Sequence, residues 1–304
     1  MTPLAPFAQI QVLSSLMEQY ARVARSSIDR SLKQFGDPWG HAFETMLQRF
    51  YGDGVVLENA VKGYGSFVVD AMRRQKRFEA ERNYPAKTYA EAAAEVYLND
   101  EYMQSKYLPG LLLSHYLWPH HYQQIEYFKK FFVAALPADQ TGDFAEVGVG
   151  TGIYSRLTLQ EVPQTQGVGF DISPLSLQFT ARHVASYGLS DRYAVHRQNI
   201  LTDPPERKFQ SVLCVEVLEH LEDPVALLKG LRNMTVPGGR LFVTAALNAA
   251  HADHIYLYRE PADVLKQVAE AGLHVENFFY ANAYAPSSPG VPVPAALALV
   301  LTHG

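Results

Sequence analysis

The 304-residue sequence contains a single cysteine, Cys214. That excludes an internal disulfide framework and any zinc site built from several thiolates, and it fits a reducing compartment. Charge is also sparse: 19% of residues are charged, the net balance is −5 and the pI is near 6.1. A chain that gripped a phosphate backbone would carry the opposite balance, so nucleic acid is set aside as a partner. Long apolar runs are missing too. The longest, such as Val293 to Leu301, fall far short of a bilayer span. The opening MTPLAPFAQIQVLSS lacks the basic start and continuous apolar core of a signal peptide. These absences lead us to expect a soluble, cytoplasmic protein with no membrane partner. What is present is apolar: hydrophobic residues make up 48%, enough for a packed core in one large or two ordinary domains.

The texture changes near residue 140. Before it, apolar residues recur at helical spacing, as in IQVLSSLMEQYARVARSSIDRSL, where Ile10, Leu13, Leu16, Met17 and Tyr20 share one face. Breakers at FGDPWG (35–40), YGDG (51–54), NYP (83–85) and LPG (108–110) divide this region into five or six helices. We therefore expect an all-helical domain over 1–136 and a second domain over 137–304, joined by PADQTGD (Pro137 to Asp143). In the second domain, candidate strands at 144–147, 167–170, 194–198, 211–215 and 240–244 alternate with helical patterns. That alternation predicts an α/β fold with a parallel sheet and helices on both faces. At the end, LHVENFFYANAY and AALALVLTHG are separated by a proline-rich loop with no helix, which predicts a closing antiparallel pair.

Between the first strand and its helix lies EVGVGTG, Glu146 to Gly152. Three glycines at such a junction let a ligand approach the backbone. The Gly-Lys-Ser/Thr ending of a phosphate loop is absent. A dinucleotide fingerprint would place its third glycine one residue later. Glu146 before the loop disfavours pyrophosphate and suits an ammonium or sulfonium group. Asp171, at the end of the second strand, can accept from both hydroxyls of an adenosine ribose; it can equally cap the helix that follows.

These elements, with VLCVEVLEHLEDP at 212–224 and PGGRLFVT at 237–244, resemble the class I S-adenosylmethionine (SAM)-dependent methyltransferases. The likeness is to the branch that includes quinone-biosynthesis O-methyltransferases and many natural-product methyltransferases, and it covers residue 140 to the end. It implies a Rossmann-like seven-stranded sheet that binds SAM and releases S-adenosylhomocysteine. It also implies residue roles. Glu146 and the backbone of Gly148, Gly150, Thr151 and Gly152 would face the methionine moiety; Asp171 would hold the ribose and Ile172 pack on the adenine. Asn199 and Ile200 occupy the place where many relatives carry Asp-Ile or Asp-Leu, and an amide oxygen can still accept from the adenine amino group. Glu216 and Val217 would lie beside the transferred methyl.

Methyl transfer from a sulfonium asks the protein to align, exclude water and remove a proton where the acceptor needs it. A hydroxyl acceptor calls for a base, which directs attention to histidines. His220 follows the fourth strand. ALNAAHADHIYLYREP, after the fifth, places His251, Asp253, His254, Tyr256 and Tyr258 at the edge where open sheets bind ligands. His254 with Asp253 is the first choice of base and His220 the second. No metal is expected, because the loop lacks the paired carboxylates that magnesium prefers. SHYLWPHHYQQIEYF (Ser114 to Phe128) is read as an aromatic lid over a flat or apolar small-molecule acceptor, or else as interdomain or dimer core. The apolar N-terminal helices suggest a homodimer. The expected function is O-methylation of a small molecule in secondary metabolism. C- or N-methylation, a protein substrate and a SAM-binding scaffold stay open.

Overall fold

The computed structural model describes residues 6–52, 54–136, 143–286, 288 and 290–303. Helix α1 (Ala8–Tyr20) buries Ile10, Leu13 and Met17, with Leu16 and Tyr20 packed at the margin of that face. Its N-cap residue, Phe7, has no side-chain oxygen to offer, so Glu44 of the next helix accepts from the Gln9 and Ile10 amides at 2.8 and 3.0 Å. That helix, α2 (Ser26–Met46), continues through the FGDPWG breaker by bending at Gly36, whose φ is 68°. A π-helical turn (Leu47–Tyr51) extends it to Gly52, and α3 (Gly54–Glu81) follows. The short α4 (Tyr89–Glu95) starts at a reciprocal Thr88–Glu91 capping box.

The break expected at LPG does not occur. Helix α5 (Asp100–Tyr102), a π-helical turn (Met103–Tyr107) and α6 (Leu108–Leu117) run on as one rod. The wide turn bonds the Leu108 amide to the Met103 carbonyl, and Pro109 falls where a missing donor is tolerated. The Ser105 carbonyl in that turn lies against α3, where only Gly63 leaves room; an added Cβ would sit 2.0 Å from it. Helix α7 (Pro119–Tyr127) and a further π-helical turn (Phe128–Phe132) complete the helical region. Most of the anticipated linker, residues 137–142, falls outside the described residues.

The remainder alternates as predicted. Strands β1 (Phe144–Val147), β2 (Gly167–Asp171), β3 (Tyr193–Arg197), β4 (Phe209–Cys214) and β5 (Thr235–Leu247) are parallel neighbours. They are joined through α8 (Ile153–Glu161), α9 (Pro174–Ala185) and α10 (Pro224–Asn233). After α11 (Pro261–Glu270), β6 (His274–Asn282) and β7 (Ala295–Thr302) form the antiparallel pair. The sheet order is β3-β2-β1-β4-β5-β7-β6, with β7 antiparallel to both neighbours. β7 reads as an unbroken apolar run because both its faces are covered.

Two cores result, one on each face of the sheet. Val212, Cys214, Leu241, Val243, Leu299 and Leu301 point towards α10 and α11. Leu213, Phe242, Ala298 and Val300, one residue out of phase, join the helical region and α8 and α9 in the other core. Phe128, Phe132 and Tyr154 pack around Phe242 there, with ring centroids 4.7 to 5.8 Å away. The N-terminal helices are therefore seated directly on the sheet, beside its ligand-binding edge.

Candidate active site

The loop after β1 turns through positive φ at all three glycines: 73° at Gly148, 49° at Gly150 and 68° at Gly152. At Gly148 a side chain is also barred by contact, since a Cβ would lie 2.5 Å from Val217 Cγ2. Helix α8 begins at Gly152 and so has no side-chain cap of its own. Glu146 supplies one: its buried Oε2 accepts from the Ser155 amide at 3.1 Å and from the Ser155 hydroxyl. Burial raises the Glu146 pKa to about 8, with the Ser155 bonds pulling it back.

Asp171 closes β2. Its Oδ1 accepts from the Ser173 amide at 2.8 Å and its Oδ2 from the Gly150 amide at 3.4 Å. Ser173, not Asp171, caps α9, accepting from the Ser176 amide. Burial raises the Asp171 pKa to about 6, against the backbone bonds. Ile172 follows it into the cavity described below. Asn199, exposed, uses Oδ1 to accept from the Leu201 amide at 3.0 Å, and Ile200 is buried behind it. Glu216 has a left-handed φ of 53°, uncommon for such a residue. Thr244 holds it there: the Glu216 amide donates to Thr244 Oγ1 at 2.9 Å, and that hydroxyl donates to Glu216 Oε1 at 2.6 Å.

The histidines after β4 and β5 converge. The His220 and His254 rings are 5.1 Å apart, and His251 lies 5.0 Å from His254. The Asp253 carboxylate does not bond His254. It accepts from Tyr97 Oη at 2.9 Å and Tyr107 Oη at 2.7 Å, and its Oδ2 is 3.6 Å from His220 Nε2. Tyr97 Oη is also 2.8 Å from His220 Nδ1. With the Tyr97 proton given to Asp253, His220 Nδ1–H is the donor and Nε2 keeps its lone pair. His254 Nδ1–H donates to the Ala249 carbonyl at 2.8 Å, which likewise frees Nε2. Burial lowers both histidine pKa values, so both rings are neutral near pH 7. Burial works against the Asp253 charge, but the charges that His220, His254 and His251 carry once protonated in acid, with the Tyr107 hydroxyl, outweigh it and hold the carboxyl well below its usual range. Tyr97 and Tyr107 are raised by burial and by Asp253, and so remain donors.

All the anticipated site residues except Gly152 line one cavity of about 1050 Å³ between the sheet edge and the helical region. The aromatic segment divides. His115, Trp118, His120 and His121 line the cavity. Tyr116 stacks on Phe43 and Tyr127 on Phe279, within the core. Tyr256 and Tyr258 turn away to bond Gln267. Burial lowers the pKa of His115 and His120 to about 3. These residues form an aromatic, uncharged patch of the lining, with Phe67 stacked between Trp118 and His251.

Residues 145–241 match a family model described as a methyltransferase domain. Over that stretch the chain is similar to methyltransferase domains. The protein is 26% identical over 152 residues to the ubiquinone biosynthesis O-methyltransferase of Xylella fastidiosa strain 9a5c, covering 43% of this chain and 61% of that protein. The chain thus spans about three-fifths of the length of that relative. Two solved structures share the fold over a longer stretch. An O-methyltransferase family protein from Burkholderia thailandensis superposes with a TM-score of 0.54 at 14% identity, covering 80% of this chain and 71% of its own. The pyocyanin biosynthetic protein PhzM gives 0.53 at 15%, covering 81% and 72%. The matched lengths reach beyond the methyltransferase domain into the helical region, whose cavity-facing residues carry no motif.

Tyr97 and Tyr107 are site residues that sequence reasoning missed. The one signal was tyrosine density, at 97, 102 and 107 in VYLNDEYMQSKY. Glu219 was also missed. It is fully buried behind the two histidines; its main-chain carbonyl accepts from the Ile255 and Tyr256 amides, and its Oε1 from the Ala246 amide.

Proposed function

We propose that the protein is a SAM-dependent methyltransferase acting on a small molecule, with O-methylation as the reaction. The observation that carries this reading is the shared cavity: the glycine loop, Asp171, the neutral histidine pair and the aromatic residues Phe67 and Trp118 all line it. Asp171 would take the ribose hydroxyls, beside Ile172, Asn199 and Ile200 at the adenine. The positive-φ loop would take the methionine portion, and Glu216 and Val217 would flank the sulfonium. Glu146 contributes indirectly, by fixing the start of α8 under the loop.

The acceptor would stand against Phe67, Trp118 and His251, a surface suited to a flat, largely apolar molecule. Its hydroxyl would face His220 and His254, whose free Nε2 atoms are placed to receive a proton. An oxygen lone pair then forms the new C–O bond as the S–CH3 bond breaks, releasing S-adenosylhomocysteine. Asp253, Tyr97 and Tyr107 position the imidazoles. The O-methyltransferase relative and the need for a base at a hydroxyl both favour oxygen over nitrogen. We assign residues 1–136 to the acceptor side and 137–304 to the cofactor side. We further propose a cytoplasmic homodimer in secondary metabolism.

The reading is tested by calorimetric titration with S-adenosylhomocysteine and, separately, NADH. Binding of the first at micromolar affinity without the second is expected. The reverse preference would reassign the loop to a dinucleotide.

A further inference from the structure

Helices α6 and α7 meet at Trp118, whose extended backbone ends one and opens the other, with Pro119 as the first residue of α7. The Trp118 indole N–H donates to Tyr64 Oη at 3.1 Å and fixes the corner. The turn brings His120 and His121 back to His115: the His121 ring lies 5.6 Å from His115 and 4.4 Å from His120. Gln124, one helical turn further on, shares their face of α7. All four side chains line the cavity, and His115, His120 and Gln124 are more than nine-tenths buried. Yet His115 Nδ1, His120 Nδ1 and Gln124 Oε1 have no hydrogen-bond partner. Buried polar atoms left unpaired are costly, and three in one cluster point to a ligand that supplies the partners.

The cluster is rich in acceptors. Gln124 Nε2 donates to Tyr154 Oη at 2.8 Å, which leaves the Gln124 carbonyl oxygen open. The Ser114 hydroxyl donates to the Leu111 carbonyl at 2.8 Å, so it accepts from His121 Nδ1–H at 3.2 Å and His121 Nε2 keeps its lone pair. Burial lowers the pKa of all three imidazoles, and they are neutral near pH 7. Arg156, the cation that His115 senses, is held by Tyr116 and Gln160 and is not part of the lining. An ion in this cluster would be desolvated without a counter-charge, whereas a hydroxyl can donate to the amide oxygen and accept from an imidazole N–H.

We propose that His115, His120, His121 and Gln124 form a second polar subsite of the cavity, which takes an un-ionised hydroxyl at the end of a flat aromatic molecule remote from the His220–His254 pair. The two places are joined by rings. Centroids step 5.0 Å from His254 to His251, 6.3 Å to Trp118 and 5.9 Å to His120, whose ring is stacked on Trp118 at 17°. A ring system lying along that path puts one hydroxyl at each polar place and its apolar body between them. That this molecule is the methyl acceptor rests on the function proposed above; the preference of the subsite for a hydroxyl does not.

The probe is naphthalene-2,6-diol, compared with naphthalen-2-ol, its counterpart with one hydroxyl. Each is titrated by calorimetry into full-length protein, with and without saturating S-adenosylhomocysteine. The diol should bind about tenfold or more tighter than the single-hydroxyl compound, the effect of two further hydrogen bonds. His120→Phe keeps the stack on Trp118, and Gln124→Leu keeps the approximate shape; each should reduce that preference to about threefold or less. S-adenosylhomocysteine affinity should be unchanged in both, and circular dichroism checks that they fold. The anionic analogue, with a carboxylate in place of the second hydroxyl, should bind more weakly than the diol. A wild-type preference below about threefold, a full preference retained in both folded variants, or tighter binding of the carboxylate would overturn the proposal. A diol preference lost in the variants, from protein that transfers no methyl group, would support the subsite and count against the proposed function alone.

Discussion

Replacing Asp171 by asparagine should separate the cofactor assignment from any structural role. The carboxylate accepts from the Ser173 and Gly150 amides and lines the cavity, and under the proposed function it takes the two ribose hydroxyls. Asparagine keeps the shape but turns one oxygen into a donor and removes the charge. Hydrogen bonds to a charged acceptor contribute about 1.5–3 kcal/mol each, so losing one and weakening the other costs on the order of 3 kcal/mol. That is a loss of about 100-fold in affinity. The pH dependence is more specific. The free carboxyl has a pKa of about 6, raised by burial, and hydroxyl donors bind its ionised form. Affinity for S-adenosylhomocysteine should therefore fall roughly tenfold between pH 7.5 and 5 in the wild type, and much less in Asp171→Asn. Isothermal titration at four or five pH values reads both effects. Equal slopes in the two proteins, or affinities within twofold at pH 7.5, would refute the ribose assignment.

Glu146 makes a stability prediction. Its folded pKa, about 8, lies above the unfolded value, so the folded form binds the proton more tightly. The stability this confers is present at low pH and lost as pH rises from about 4.5 through 8. Glu146→Gln should lose that contribution while still accepting from Ser155, so its melting temperature relative to wild type should rise between pH 6 and pH 9 by scanning calorimetry. Gly148→Ala meets both a positive φ and Val217 Cγ2 at 2.5 Å, and should cost about 1–3 kcal/mol by chemical denaturation. Asp253→Asn removes the anchor of two tyrosine hydroxyls from the helical region. About 3 kcal/mol of stability should go with it, and methyl transfer should slow about 100-fold at unchanged S-adenosylhomocysteine affinity. A loss confined to cofactor affinity would place Asp253 in the wrong half of the cavity.

What was legible in the sequence was what short-range pattern encodes. Strand–glycine–helix punctuation located Glu146 to Gly152, the acid at a strand end located Asp171, and strand–helix alternation followed by two helix-free strands gave the sheet and its antiparallel pair. Local rules failed where tertiary packing decides. Pro109 looked like a helix stop, but the π-helical turn ahead of it lets the rod continue against Gly63. Asp253 looked like the partner of its neighbour His254, yet it bonds tyrosines 146 and 156 positions away and approaches His220 instead. Glu219 sits inside the VLCVEVLEHLEDP motif, but its meeting with His254 depends on how two separate turns are laid side by side at the sheet edge.

The central claim is that this cavity moves a methyl group onto a small molecule. The most direct measurement incubates the protein with SAM carrying a labelled methyl group and a size-fractionated extract of the source cells. The account predicts label in the small-molecule fraction, lost with Asp171→Asn. Label in the macromolecular fraction, or none in any fraction from protein that binds S-adenosylhomocysteine, would contradict it.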